Sequence, residues 1–209
     1  MRVKEILARA AVALLCAVWA TTAAAADPED PDWPCIQRKV PKISAGMVWA
    51  GPPLEDLQTD WRQDIEVSQL AGTIARRSVP IEEAERQIAD FAATLGDARS
   101  ETLTLLFDAT LSIINNERGS LITGIGRYAR RQAALAERIR GLTETLHGLP
   151  ADGGAESRTQ REELQEALVW DTRIFEEREQ SLKYVCEQPV MLEQRVFQLA
   201  RAIMAQLEP

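Results

Sequence analysis

Apolar residues recur at alternating spacings of four and three through roughly the last hundred positions of the chain. The first run holds Phe107, Leu111, Ile114, Leu121, Ile125, Tyr128, Leu135, Ile139, Leu142, Leu146 and Leu149, with Arg118 and Gln132 as its polar members. The second holds Leu164, Leu168, Phe175, Leu182, Val185, Leu192, Val196, Leu199 and Ile203, with Asp171, Arg178 and Pro189 at the same seam. A heptad seam of this kind buries itself against another helix. The pattern predicts two long antiparallel helices joined by the turn near residues 149–158, which carries Pro150, Gly153 and Gly154.

The first long helix meets no strong breaker between a cap at Asp97 or Ser100 and Gly148-Leu149-Pro150. Its length would be about 75 Å at the helical rise, more than a compact globule needs. The second should start near Ser157 or Thr159 and run to about Leu207, with a kink or short break at Pro189. Pairing residues whose numbers sum to about 310 sets Leu146 against Leu164 and Leu135 against Phe175, and leaves Gln132 facing Arg178. Such a polar pair inside an apolar seam costs stability and can fix register. Gly119, Gly124 and Gly126 would make room for the bend or for a segment held at Cys186.

Two shorter helices are expected upstream. Leu57, Trp61, Ile65 and Ala71 draw one face of a helix from about Leu54 to Arg77, with acids at its start and arginines at its end. Ile81, Ala84, Ile88, Phe91 and Leu95 draw the next, opened by Ser78 and Pro80 and stopped by Gly96. Extra apolar residues between positions 103 and 125 require more than one neighbour, so these helices should complete a four-helix base. Beyond Arg127 the hairpin should project about 30 Å as a two-stranded coiled coil.

Residues 27–53 contain Pro28, Pro31, Pro34, Pro41, Pro52 and Pro53, which excludes a helix. Trp33, Ile36, Val40, Ile43, Val48 and Trp49 make the stretch too apolar for a solvated linker. It should be an extended arm laid along the helices, with Trp33 and Trp49 as anchors. The fold class is therefore all-α: a helical hairpin and two short helices over 54–209, plus this arm.

Residues 1–26 have the layout of a secretory signal peptide: Arg2, Lys4 and Arg9, an apolar middle, and Ala23 to Ala26 before Asp27. An uncleaved anchor is the alternative, since the apolar stretch approaches the roughly 20 residues of a membrane span. Cleavage would leave no integral membrane segment and place the protein in the periplasm. It also removes Cys16 and leaves Cys35 and Cys186, for which a disulfide is the simplest state outside the cytoplasm. Closing so large a ring contributes roughly 4 to 5 kcal/mol at the upper end of the loop-entropy argument.

The chain carries 24 basic and 32 acidic side chains. Without residues 1–26 the balance is more acidic still, which disfavours nucleic acid or an anionic membrane as partner. Arg127, Arg130, Arg131, Arg138 and Arg140 form a basic run, but Glu162, Glu163, Glu166, Asp171, Glu176 and Glu177 on the other helix offer complementary flanks. His147, the only histidine, sits in a last helical turn where it suits the dipole. No Gly-x-Ser-x-Gly, phosphate-binding glycine loop or Cys-x-x-Cys-His motif is present. Neither a metal site nor a cofactor is expected.

Trp170 flanks the seam of the projecting half, with Ile174 one turn on and His147 near the tip; these three are the candidate partner-binding residues. The expectation is an exported, non-enzymatic helical protein that works by protein–protein contact, as adaptor, scaffold or accessory subunit, with a homodimer as one form of that contact. The competing expectation is a small-molecule or lipid-binding bundle with its pocket among the base helices.

Overall fold

The computed structural model describes residue 30, residues 32 to 150 and residues 153 to 207. Residues 1–26, expected to be a signal peptide, and the centre of the hairpin turn lie outside these residues. The helices are α1 (Ala45–Val48), α2 (Ile65–Ile74), α3 (Ile81–Thr94), α4 (Arg99–Gly148) and α5 (Ala155–Met204), and the described residues contain no strand. The chain is all-α, built on the antiparallel hairpin of α4 and α5, each 50 residues long.

The helix expected over Leu54 to Arg77 is shorter than its apolar spacing suggests. Two 3-10 turns, Leu54–Asp56 and Trp61–Gln63, precede α2. The reason is local: the Asp60 carboxylate accepts the Arg62 amide at 2.9 Å, and Asp64 accepts the Val67 amide at 3.0 Å. Each short acid captures a nearby backbone donor and restarts the chain there. At the far end, Arg195 of α5 donates from Nε (2.9 Å) and Nη2 (2.5 Å) to the Ile74 carbonyl, satisfying an acceptor that the helix leaves orphaned.

The other boundaries shift less. Gly96 takes φ +50, a left-handed conformation suited to glycine, and ends α3. Neither Asp97 nor Ser100 caps α4, which enters from a 3-10 turn at Gly96–Ala98 without a side-chain cap. Helix α5 begins at Ala155 and is unbroken through Pro189. The proline withholds one donor from its own helix, and its carbonyl accepts a bond from Arg118 of α4.

Helix α2 packs on α4 and α3 packs on α5 to form the four-helix base. Val67, Ile74, Ile88, Leu106, Phe107, Leu192, Val196, Leu199 and Ile203 are fully buried there. Removal of these side chains from water is the main stabilising contribution, about 1.5 to 3 kcal/mol for each large one. The arm joins this core and is not extended throughout: the proline-free stretch between Pro41 and Pro52 forms the single turn α1, closed by the Trp49 amide donating to the Ala45 carbonyl at 2.9 Å. Trp49 stacks on Phe107 with ring centroids 4.1 Å apart, and its indole occupies the space a Cβ on Gly51 would need.

A smaller apolar cluster lies further along the hairpin, where Trp33 and Cys35 of the arm meet Ile122, Ile125 and Cys186. Cys35 and Cys186 form a disulfide with Cα atoms 5.5 Å apart, across 151 residues of sequence. The arm reaches as far as Arg130, which pairs with Asp32 at 2.6 Å. The uncovered hairpin is therefore shorter than expected from Arg127, about 25 Å from the level of Gln132 to Gly148.

Candidate functional site

In the uncovered half, the seam is narrow. Leu135 is buried, whereas Leu142, Leu146, Leu164 and Leu168 are only half-buried, as befits two helices with no third neighbour. The hairpin is locked by polar contacts as well. Arg138 grips Asp171 through Nε and Nη2, and Asp171 is 4% exposed. This pairing leaves the acid satisfied where an unpaired charge would be expensive.

Most of the basic run does something other than pair across the hairpin. Arg130 holds the arm at Asp32, and Arg140 pairs with Glu137 on its own helix. Among the described ion pairs, only Arg138 joins this run to an acid of α5. Gln132, expected opposite Arg178, bonds the α5 backbone: its Nε2 donates to the Phe175 carbonyl at 2.8 Å, and its buried Oε1 has no partner among the described residues. Of the three glycines, Gly126 comes against the arm, with the Asp32 carbonyl 4.0 Å from where a Cβ would sit, while a Cβ at Gly119 would meet nothing within 4 Å.

The three candidate partner-binding residues occupy different surroundings. Trp170 is 56% exposed and its neighbour Val169 69%. Ile174 is half-buried and lines a groove of about 430 Å³ with Leu135, Arg138 and Arg178. His147 is exposed in the last turn of α4, nine residues beyond Arg138 and so about 13 Å nearer the tip than the level of Trp170. Trp170 and Ile174 are thus neighbours on one helix, and His147 stands apart from them.

The surface pattern extends well past Trp170. Val169, Trp170, Tyr184, Met191 and Phe197 are all large, apolar and exposed, and all belong to α5. Only the first two fall in the projecting half. The sequence signal for Met191 and Phe197 was present as apolar positions off the seam, absorbed into the expected wide base, while Tyr184 was not singled out.

The arm junction is the most elaborate polar site. Arg118 is 4% exposed; its Nε donates to the Val40 carbonyl at 3.1 Å, its Nη1 to the Pro189 carbonyl, and its Nη2 lies 3.6 Å from Glu193. Burial pulls Arg118 below the usual arginine range, and the Glu193 charge opposes that pull. One turn back, Asn115 accepts the Ile43 amide at 2.8 Å and donates to the Ile43 carbonyl at 3.0 Å. Together they tie arm, α4 and α5 into one unit. Asn115 was not singled out by sequence reasoning, because a lone asparagine on a helix carries no signal of the backbone it clamps.

The grooves around this junction do not assemble a reactive set. One, of about 730 Å³, runs between the arm and α4 and contains Asp30, Asp32, Lys39, Lys42, Arg127 and Arg130. Asp30 is paired with Lys39 and Asp32 with Arg130, so opposite charges already face one another. A second of about 240 Å³ sits beside the disulfide, walled by Trp33, Val40, Ile122 and Pro189. Elsewhere, burial pushes the Asp108 carboxyl above the usual range, with Arg62 opposing and Asp60 reinforcing the shift. Among the described residues, no group of three or more His, Cys, Asp and Glu side chains is placed to hold a metal ion, and no helix is long and apolar enough to cross a membrane.

No protein-family model matches the chain, and no curated protein or solved structure matches it significantly. The functional reading rests on the geometry just described.

Proposed function

We propose that this is an exported, periplasmic, non-enzymatic helical protein that acts by protein–protein contact through its projecting hairpin, as adaptor, scaffold or accessory subunit. The observation that carries this reading is the exposure of Val169 and Trp170 (69% and 56%) on a hairpin that the base and arm leave uncovered. Tryptophan at the centre of such a patch is the kind of side chain that dominates protein interfaces. Export is supported by the signal-like start of the sequence and by the disulfide, which persists in oxidising compartments.

The competing pocket among the base helices has less support. That interior is occupied by fully buried side chains such as Ile74, Leu106 and Leu199, and grooves of about 730 and 430 Å³ lie outside it, along the arm and hairpin. The test is photo-crosslinking in the native envelope, with the crosslinker at Trp170 and then at His147. Capture of a single dominant protein, or of a second copy, is the expected result. No capture from either position would overturn the contact reading and return weight to the ligand-binding bundle.

A further inference from the structure

The outward face of α5 is self-complementary when read antiparallel. Val169, Arg173, Glu176, Gln180, Lys183, Glu187 and Met191 follow one another at spacings of three and four, so they line one side of the helix. They lie off the inward stripe of half-buried Leu182 and buried Cys186, Pro189, Leu192 and Val196. Val169 and Met191 are 69% and 48% exposed, and the Arg173 side chain is 68% exposed, engaged only with Glu177 one turn along.

We infer that this face docks a second copy of the chain, antiparallel, about a two-fold axis at Gln180. In that register Arg173 of each copy meets Glu187 of the other, Glu176 meets Lys183, and Val169 with Trp170 meets Met191. Each contact occurs twice, as an isologous interface requires. The apolar pairs close the two ends of the contact and the ion pairs lie between them. The matched stretch spans about 33 Å of helix.

Competing registers are disfavoured by the same charges. A parallel pairing sets Arg173 against Arg173 and Glu187 against Glu187. Sliding one heptad towards the tip opposes Glu166 to Glu187 and Glu176 to Glu177. Sliding the other way leaves Arg173 against Gln194 and Glu187 against Gln180, with no ion pair at either. Like charges placed opposite are repulsive and unlike charges fix register, so one arrangement stands above its neighbours.

This inference rests on the contact reading above and names its partner. The experiment uses the disulfide-intact chain from Asp27 to Pro209, studied by sedimentation equilibrium at rising concentration. The expected result is a monomer–dimer equilibrium that Arg173→Glu weakens at least about tenfold, a magnitude ordinary for a close interfacial charge pair, and that Arg173→Glu with Glu187→Arg restores. Both changes lie on the helix surface, and circular dichroism confirms that each variant keeps its helix content. A photo-crosslinker at Gln180 should join α5 to α5. A chain that stays monomeric, or a dimer indifferent to Arg173→Glu, overturns the inference. If the chain is monomeric while a crosslinker at Trp170 captures another protein in the envelope, the contact reading stands and the second copy does not.

Discussion

Arg118 reaches across the hairpin and donates to the carbonyl of Pro189, the one residue of α5 that carries no amide hydrogen. The same guanidinium holds the Val40 carbonyl of the arm. One buried cation therefore joins three segments that are distant in sequence, at the level where the disulfide also ties the arm down. The seam position that Arg118 occupies would accept a leucine in an ordinary coiled coil. Its use here trades apolar packing for a fixed meeting point between arm, α4 and α5.

Truncating this residue should be expensive. Arg118→Ala removes the hydrogen bonds to Val40 and Pro189 and leaves a void beside Ile122. We expect a loss of about 2 to 4 kcal/mol, the sum expected for stranded buried acceptors and a small cavity. Urea unfolding followed by circular dichroism measures it. A loss under about 0.5 kcal/mol, the level of an ordinary surface change, would show that the contacts are not maintained in solution.

The disulfide acts on the same junction through the unfolded state. Cys35→Ser with Cys186→Ser should destabilise the chain by about 2 to 5 kcal/mol and release the arm around Trp33. Limited proteolysis should then cut between residues 30 and 42 faster than in the oxidised protein, while the base around Phe107 stays protected. Equal cutting rates in the two forms would mean that Arg118, Asn115 and Arg130 hold the arm without the bridge.

The parts of this fold legible in the sequence are those set by periodicity. The hairpin follows from the seam, and the bridge follows from the two cysteines that lie beyond the expected signal segment. Contacts between a side chain and a distant backbone carbonyl have no period and were not legible. Arg118 was visible as an anomaly in the seam, yet its partners at Val40 and Pro189 come from 78 and 71 residues away. The overlong first helix failed for the opposite reason. Its apolar spacing was helical, but Asp60 and Asp64 form local caps that defeat the periodicity. The exposed face of α5 was legible only at Trp170, because Tyr184 and Met191 resemble ordinary base residues until the packing shows them open.

Asp108 supplies a pH dependence. Burial raises its pKa above the usual carboxylate range in the folded chain, so over that window the native state binds more protons than the unfolded one. By linkage, this group's contribution to stability falls as pH rises through the raised value. Asp108→Asn should therefore be more stable than the parent at neutral pH, and the difference should shrink as pH is lowered into the carboxylate range. Parallel urea titrations at several pH values give the comparison. A difference independent of pH would assign the effect to packing and not to the charge.

Gln132 is the weak point of the projecting seam. Its Nε2 bonds the Phe175 carbonyl, which lies within α5, while its buried Oε1 goes unsatisfied. An unpartnered buried acceptor costs about 1 to 3 kcal/mol, and the bond it accompanies returns about 1. Replacement by an apolar side chain of similar volume removes both. Gln132→Met should thus raise stability by about 1 kcal/mol, read from the urea midpoint at an unchanged slope. The companion expectation concerns register, since Tyr128 to Arg178 and Arg138 to Asp171 still bracket the site. Crosslinks between α4 and α5 should fall at the same pairs in Gln132→Met as in the parent, because the bidentate pair of Arg138 with the buried Asp171 holds the alignment. A stabilised variant whose crosslinks spread to neighbouring turns would instead assign the register to Gln132.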